Sequence, residues 1–201
     1  APLAQEGLME ILAEGGEYKF IGINRVHLEE DAAKLIHATF ETWVDFNRAG
    51  VPLLEIVTKP DLRSAADAES FMRELRRIVR YLGISDADME KGQMRCDASI
   101  SMRTKGETEL YPRTEIKNLN SFKMVREALE YESKKHQQAW NEGWIPDAPT
   151  TVLWDDKKKT TRFMRGKEYA ADYRYVPEPD IAELSLTEEQ ISATRATLPV
   201  L

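Results

Sequence analysis

Glu55 is the single charged residue inside the apolar run Val51-Pro52-Leu53-Leu54-Glu55-Ile56-Val57. A run this rich in branched residues, with Gly50 before it and Lys59-Pro60-Asp61 after it, has the composition of a strand covered on both faces. An ionised carboxylate in such a strand is costly unless it neutralises, meets a cation or collects hydrogen bonds. Alternation puts Glu55 on the face of Leu53 and Val57, so it is expected to project into an enclosed space. Two roles answer that cost: a buried ion pair with an arginine such as Arg48, or a place among the oxygen ligands of a metal ion in an active site. Structural pairs explain many buried acids; the metal role is the sharper expectation.

A second chemical block is Arg95-Cys96-Asp97-Ala98-Ser99-Ile100-Ser101-Met102-Arg103. It alternates without a break, with Cys96, Ala98, Ile100 and Met102 on one face and Arg95, Asp97, Ser99, Ser101 and Arg103 on the other. A half-buried antiparallel strand accounts for the alternation. The kind of polar residue says more: short Asp and Ser flanked by Arg suit a shaped pocket, and Cys96 is a small hydrophobe on the packed side. Thr114-Glu115-Ile116-Lys117-Asn118-Leu119-Asn120-Ser121-Phe122 reads as a short strand running straight into a helix. Such a junction presents unpaired N–H groups that can hold a phosphate, although Asn120 or Ser121 as a simple cap is the commoner case. A third polar block, 161–180, mixes Arg with Tyr, both able to stack on bases and hold phosphates.

Several familiar sites are excluded. No Gly-x-x-x-x-Gly-Lys-Ser/Thr phosphate loop and no Gly-x-Gly-x-x-Gly fingerprint occurs. Three His and one Cys, without Cys-x-x-Cys or His-Glu-x-x-His, argue against zinc. A metal here would be a hard cation on carboxylates, Mg²⁺ serving a phosphate substrate. Its candidate ligands are Glu30 (or its neighbours Glu29 and Asp31), Glu55 and Glu115. The net charge of −7 argues against a free-standing nucleic-acid binder, because phosphate contacts need a basic surface; it leaves room for RNA at one local site. No apolar stretch is long enough to cross a bilayer, no signal peptide pattern opens the chain, and the single Cys96 fits a reducing cytoplasm.

The elements that must position these residues are partly legible. With 201 residues, 42% hydrophobic and 31% charged, the chain suits one large domain, or one domain and part of another. Ser64 with Asp67 three residues on starts a helix that carries Phe71, Met72, Leu75, Ile78, Val79 and Leu82 until Gly83 ends it. A second helix starts near Asn120 or Ser121, sets Phe122, Val125, Ala128 and Leu129 on one face, and stops by Gly143. Its charged remainder and His136 are read as a solvated face. Segment 19–31 looks like a strand that begins apolar and turns acidic, whereas 8–18 is weakly patterned. These patterns predict an α+β fold in which 20–31, 51–58 and 95–103 belong to one mainly antiparallel sheet, with helices over 65–82 and 121–140 packed on it.

Five blocks in order carry a resemblance: Val26-His27-Leu28-Glu29-Glu30-Asp31-Ala32; Asp45-Phe46-Asn47-Arg48-Ala49-Gly50 followed by 51–57; Arg95-Cys96-Asp97-Ala98; Glu115-Ile116-Lys117-Asn118-Leu119-Asn120-Ser121; and Asp172-Tyr173-Arg174-Tyr175. Together, over roughly 19–181, they resemble the B-subunit family of the aspartyl/glutamyl-tRNA amidotransferases, the GatCAB type. The resemblance implies a catalytic cradle domain of the glutamine synthetase/guanidino kinase kind over 1–183, lacking its N-terminal part, and the start of a helical domain over 184–201. It implies a ligase that phosphorylates the side-chain carboxylate of Glu-tRNA(Gln) or Asp-tRNA(Asn) with ATP and Mg²⁺. Ammonia from a separate glutaminase (A) subunit then displaces the phosphate, and a small C subunit completes a cytoplasmic heterotrimer. The family's metal-binding acids fall on Glu30 and Glu55, with Glu115 as a further candidate. Chemistry assigns Arg95 and Lys117 to the transferring phosphoryl group, Asp97 to a bound water or the path of ammonia, and Asn118 and Ser121 to the nucleotide. A fragment of this kind is expected to be inactive alone. Two competing roles are a non-catalytic scaffold docking tRNA and a partner, and a free-standing ligase of the glutamine synthetase type. An acid inside an apolar strand separates the scaffold from the enzyme, because docking has no need of it.

Overall fold

The chain is described by a computed structural model over residues 2–166 and 185–199. Its contacts divide into two units, 1–70 and 71–201, and the boundary falls inside the first helix, α1 (Ala65–Tyr81). In the first unit, β1 (Ala4–Leu12), β2 (Tyr18–Glu30) and β5 (Pro52–Thr58) form an antiparallel sheet in the order β1-β2-β5, and β3 (Lys34–His37) with β4 (Thr42–Asp45) form a separate hairpin. Segment 8–18, weakly patterned as sequence, supplies the second half of β1 and the turn into β2. Met9, Ile11 and Ala13 alternate into the core beside Ile21, and Gly16 takes φ +81° in the connecting turn, where a side chain would be strained.

Strand β2 carries a bulge. Ile23 pairs with Thr58 but Arg25 pairs with Val57, so Asn24 is one residue too many for its partner strand. The extra residue moves Arg25, His27 and Glu29 onto the face of Val57, Glu55 and Leu53. At the start of α1 the Ser64 hydroxyl accepts the Asp67 N–H at 3.0 Å, as the spacing predicts. The Asp67 carboxylate, 1% exposed, meets the Lys19 ammonium at 3.4 Å.

The second unit holds β6 (Cys96–Ile100), β7 (Thr114–Leu119), β8 (Thr150–Asp155) and β9 (Thr160–Gly166) in the order β6-β7-β8-β9. Helix α2 (Phe122–Asn141) connects β7 to β8, which run parallel; the other neighbours are antiparallel. Parallel neighbours need a long crossover, and α2 is that crossover. It buries Val125, Ala128, Leu129, Glu132 and His136, while Ile116, Leu119, Val152 and Trp154 are the buried apolar residues of β7 and β8. A third helix, α3 (Glu188–Thr197), opens on a capping box between Thr187 and Gln190.

Both α1 and α2 follow the pattern of the sequence, and the α+β class holds. The single sheet does not: β2 and β5 belong to the first unit and β6 to the second, in separate sheets. Alternation identifies strands but carries no information about which distant strand is the neighbour. His136 is not on a solvated face either. At 6% exposure its Nε2 lies 2.9 Å from the Thr114 hydroxyl and 3.5 Å from Glu132 Oε2.

Glu132 is 1% exposed. Burial pushes its carboxyl up, but hydrogen bonds involving His136, Thr161 and Lys135 outweigh that and hold it below the ordinary 4.5. A carboxyl lowered in the folded state adds stability above its unfolded value and loses it as pH falls through the folded one. The parent protein should therefore lose stability below about pH 4.5. Glu132→Gln should cost roughly 1–3 kcal/mol at neutral pH and flatten that acid limb, as read from melting temperatures across pH. A variant that tracks the parent at every pH would refute the role given to Glu132.

Candidate functional site

One face of the second sheet turns toward α2 and the other carries charge. On the outer face the pairing sets Ser99, Glu115 and Thr151 side by side across three strands. Lys117, two residues along β7, forms an ion pair with Asp97, and its ammonium lies 3.9 Å from Glu115 Oε1. The other Glu115 oxygen accepts the Thr151 hydroxyl at 3.3 Å. Three residues singled out from sequence, Asp97, Glu115 and Lys117, are thus brought together. Arg95, exposed, lies just before β6 and precedes Asp97 by two residues.

Lys117 is placed by an irregularity. Cys96 pairs with Leu119 and Ala98 with Ile116, so Lys117 and Asn118 both stand opposite Asp97. Asn118 has φ +68°, and its amide donates to the Trp154 carbonyl at 2.9 Å. The Ser121 hydroxyl accepts the Met124 N–H at 3.1 Å and caps α2. Neither side chain is placed as a free nucleotide ligand: Asn118 is engaged with β8 and Ser121 with its own helix. Cys96 faces the packed side, and burial, with a smaller effect from Asp97, pushes its thiol up to about 12, which leaves it an unreactive hydrophobe.

In the first unit the structure corrects the expectation for Glu55. Its side chain is 46% exposed and pairs with Arg25 at 3.7 Å, not with Arg48, which instead meets Asp31 at 3.8 Å. The reason is coverage of the faces: no residue of β5 is fully buried and Glu55 and Leu54 are exposed, so an apolar run that reads as covered on both faces is not enclosed within this unit. Glu30 is corrected as well. It pairs with Pro52, whereas Glu55 pairs with His27; three residues separate the two positions on each strand, which puts Glu30 and Glu55 on opposite faces. The acid sharing the Glu55 face is Glu29, two residues from His27.

The metal expected from sequence meets an incomplete donor set. Glu55 and Glu29 offer carboxylate oxygens of the kind a hard cation takes. Among the described residues, however, no group of three or more His, Cys, Asp or Glu side chains is arranged to hold an ion. Arg25, His27 and Glu29 do not stand out as a set in the sequence, because only the β2–β5 register and the Asn24 bulge put them beside Glu55. The Asp172-Tyr173-Arg174-Tyr175 segment lies outside the described residues. No described helix is long and apolar enough to cross a membrane.

The GatB/GatE catalytic domain family model matches residues 1–192. The B subunit of the aspartyl/glutamyl-tRNA(Asn/Gln) amidotransferase of Clostridium kluyveri is 46% identical over 200 residues, covering 100% of this chain and 42% of that protein. A corresponding B subunit of Clostridium acetobutylicum is 50% identical over the same shares. That of Campylobacter jejuni is 48% identical over 98% of this chain and 42% of its own length. The chain therefore spans about two-fifths of the curated relatives it matches.

The exposed Arg25–Glu55 contact carries a prediction for the fold. Exposed ion pairs contribute about 0–1 kcal/mol, so Glu55→Gln should shift the chemical denaturation midpoint only by that amount. A loss of several kcal/mol would mean that Glu55 is enclosed in the intact protein.

Proposed function

Because the chain belongs to the GatB/GatE catalytic-domain family, we propose that it carries the amide-forming chemistry of a tRNA-dependent amidotransferase. The substrate class is a tRNA mischarged with glutamate or aspartate, Glu-tRNA(Gln) or Asp-tRNA(Asn). In the proposed reaction the side-chain carboxylate attacks the γ-phosphorus of ATP, ADP leaves, and an acyl phosphate forms. Ammonia then attacks the acyl carbon, the C–O bond to phosphate breaks, and the released proton passes to solvent or a nearby carboxylate. The observation that carries the reading is the family match along nearly the whole chain, joined to the Asp97–Lys117–Glu115 cluster on the sheet face away from α2.

The cluster suits such chemistry. Phosphoryl transfer between anions needs neutralisation and orientation more than covalent help. Lys117 brings three donors on a cation whose position two carboxylates set, and at 29% side-chain exposure it remains accessible from outside the sheet. Arg95, two residues before Asp97, adds a second cation. Asp97, 52% exposed, offers a carboxylate to orient an incoming amine. Mg²⁺ and ATP are the cofactors this reading calls for. Glu55 and Glu29 are the acids of the first unit open to a cation, and the chain's donor set requires completion by other oxygens. A glutaminase (A) subunit as ammonia source and a small C subunit are the implied partners, and the cytoplasm the implied compartment.

The test uses the complete enzyme with its partners. Lys117→Gln should lower ATP-dependent conversion of Glu-tRNA(Gln) or Asp-tRNA(Asn) on the order of 10²-fold or more. The same change removes a partly exposed ion pair and should cost only about 1 kcal/mol of stability. Undiminished amide formation by a folded variant would end the role of Lys117. A parent complex that binds tRNA but forms no amide with ATP would identify a docking scaffold. Amidation of free glutamate without tRNA would identify a free-standing ligase.

A further inference from the structure

We infer that Asn118 is a positioning residue whose left-handed backbone and amide bond to β8 together aim the Lys117 ammonium at Asp97. The catalytic meaning of that placement rests on the role proposed above for Lys117; the placement itself does not. Three observations carry it. The pairing gives β7 two residues, Lys117 and Asn118, opposite Asp97 alone. The φ of +68° at Asn118 puts it in the left-handed region. Its Nδ2 donates to the Trp154 carbonyl at 2.9 Å, one residue beyond the last paired residues Lys117 and Leu153, and its Oδ1 accepts from Asn120 Nδ2 at 3.3 Å.

The bulge resolves a conflict of parity. Ile116 and Leu119 are 0% and 3% exposed and both point into the core. In an unbroken strand, residues three apart point to opposite faces. Regular pairing would therefore either expose Leu119 or turn Lys117 inward, away from Asp97. One additional residue lets Lys117 stay outside while Leu119 returns to the core. Asparagine combines the two properties the position needs. It tolerates the left-handed region better than most residues, and unlike glycine it has an amide to bond β8 where backbone pairing ends.

The test follows Lys117 itself. In the intact protein, acetylation of Lys117 by acetic anhydride is measured by peptide mass spectrometry and normalised to the exposed Lys91. The variants are Asn118→Ala, Asn118→Gly and Asp97→Asn. Asn118→Ala strains the backbone and removes the bond, and should raise Lys117 acetylation on the order of tenfold. Asn118→Gly keeps the backbone and removes only the bond, and should raise it about two- to threefold. Asp97→Asn should raise it at least as much as either. A general loosening would raise other lysines along with Lys117, so a rise confined to Lys117 separates positioning from stability. Lys117 acetylation unchanged in both Asn118 variants overturns the inference, and so does an unchanged rate in Asp97→Asn. Should Asn118→Ala not fold, Asn118→Gly decides alone, a rise supporting the inference and no rise overturning it. If the Asn118 variants free Lys117 while Lys117→Gln leaves transamidation intact, the positioning holds and the functional reading fails.

Discussion

Strand β7 must satisfy two opposite environments within six residues, and much of the second unit depends on how it does so. Its inner face carries Thr114, Ile116 and Leu119 against α2, all 5% exposed or less. Its outer face carries Glu115 and Lys117, which meet Asp97 and Thr151 from the strands on either side. Charge on the inner face would be desolvated without adequate partners, and apolar residues on the outer face would be wasted. The bulge at Lys117 and Asn118 allows both faces to be correct where strict alternation would not. It sits beside a charged cluster, in keeping with the tendency of bulges to re-aim side chains near functional sites.

The same helix that closes the crossover carries the unit's buried polar pair. Glu132 and His136 lie on the buried face of α2 with Val125, Ala128 and Leu129, and their bonds reach Thr114 on β7 and Thr161 on β9. A polar network of this type is directional, so it fixes the rotation and height of α2 in a way that apolar contacts alone do not. The Lys135 ammonium joins it from the rim, 3.0 Å from Glu132. The Ser121 cap, two residues after β7 ends, then sets where α2 begins.

Glu55 and Glu115, both metal candidates by sequence, have different surroundings in the fold. Glu55 lies on an edge strand, paired with Arg25 and open to solvent. Glu115 lies on an inner strand at 16% side-chain exposure, held by Thr151 and near Lys117. An apolar run suggests enclosure only if something covers both faces of its strand, and that condition is not a property of the run. For Glu115 the reverse holds: nothing in Thr114-Glu115-Ile116 marks it as more enclosed than Glu55, yet neighbours on both edges of β7 shield it.

Local order is what the sequence by itself determined. The periods of 3.6 and 2, the Ser64 and Ser121 caps and the Gly83 stop depend on residues within a few positions of one another, and α1, α2, β2, β5, β6 and β7 were legible from them. So was the five-block pattern that identifies the family, because it is linear. The tertiary structure alone decided the rest. Strand neighbours, the parallel β7–β8 pairing and the division into separate sheets join segments far apart in sequence, for which alternation gives no address. The Asn24 and Asn118 bulges change the parity of their strands, so they determine which side chains share a face: Arg25, His27 and Glu29 with Glu55, and Lys117 with Asp97. A one-residue shift of parity leaves almost no trace in composition, yet it reverses the face of every residue beyond it.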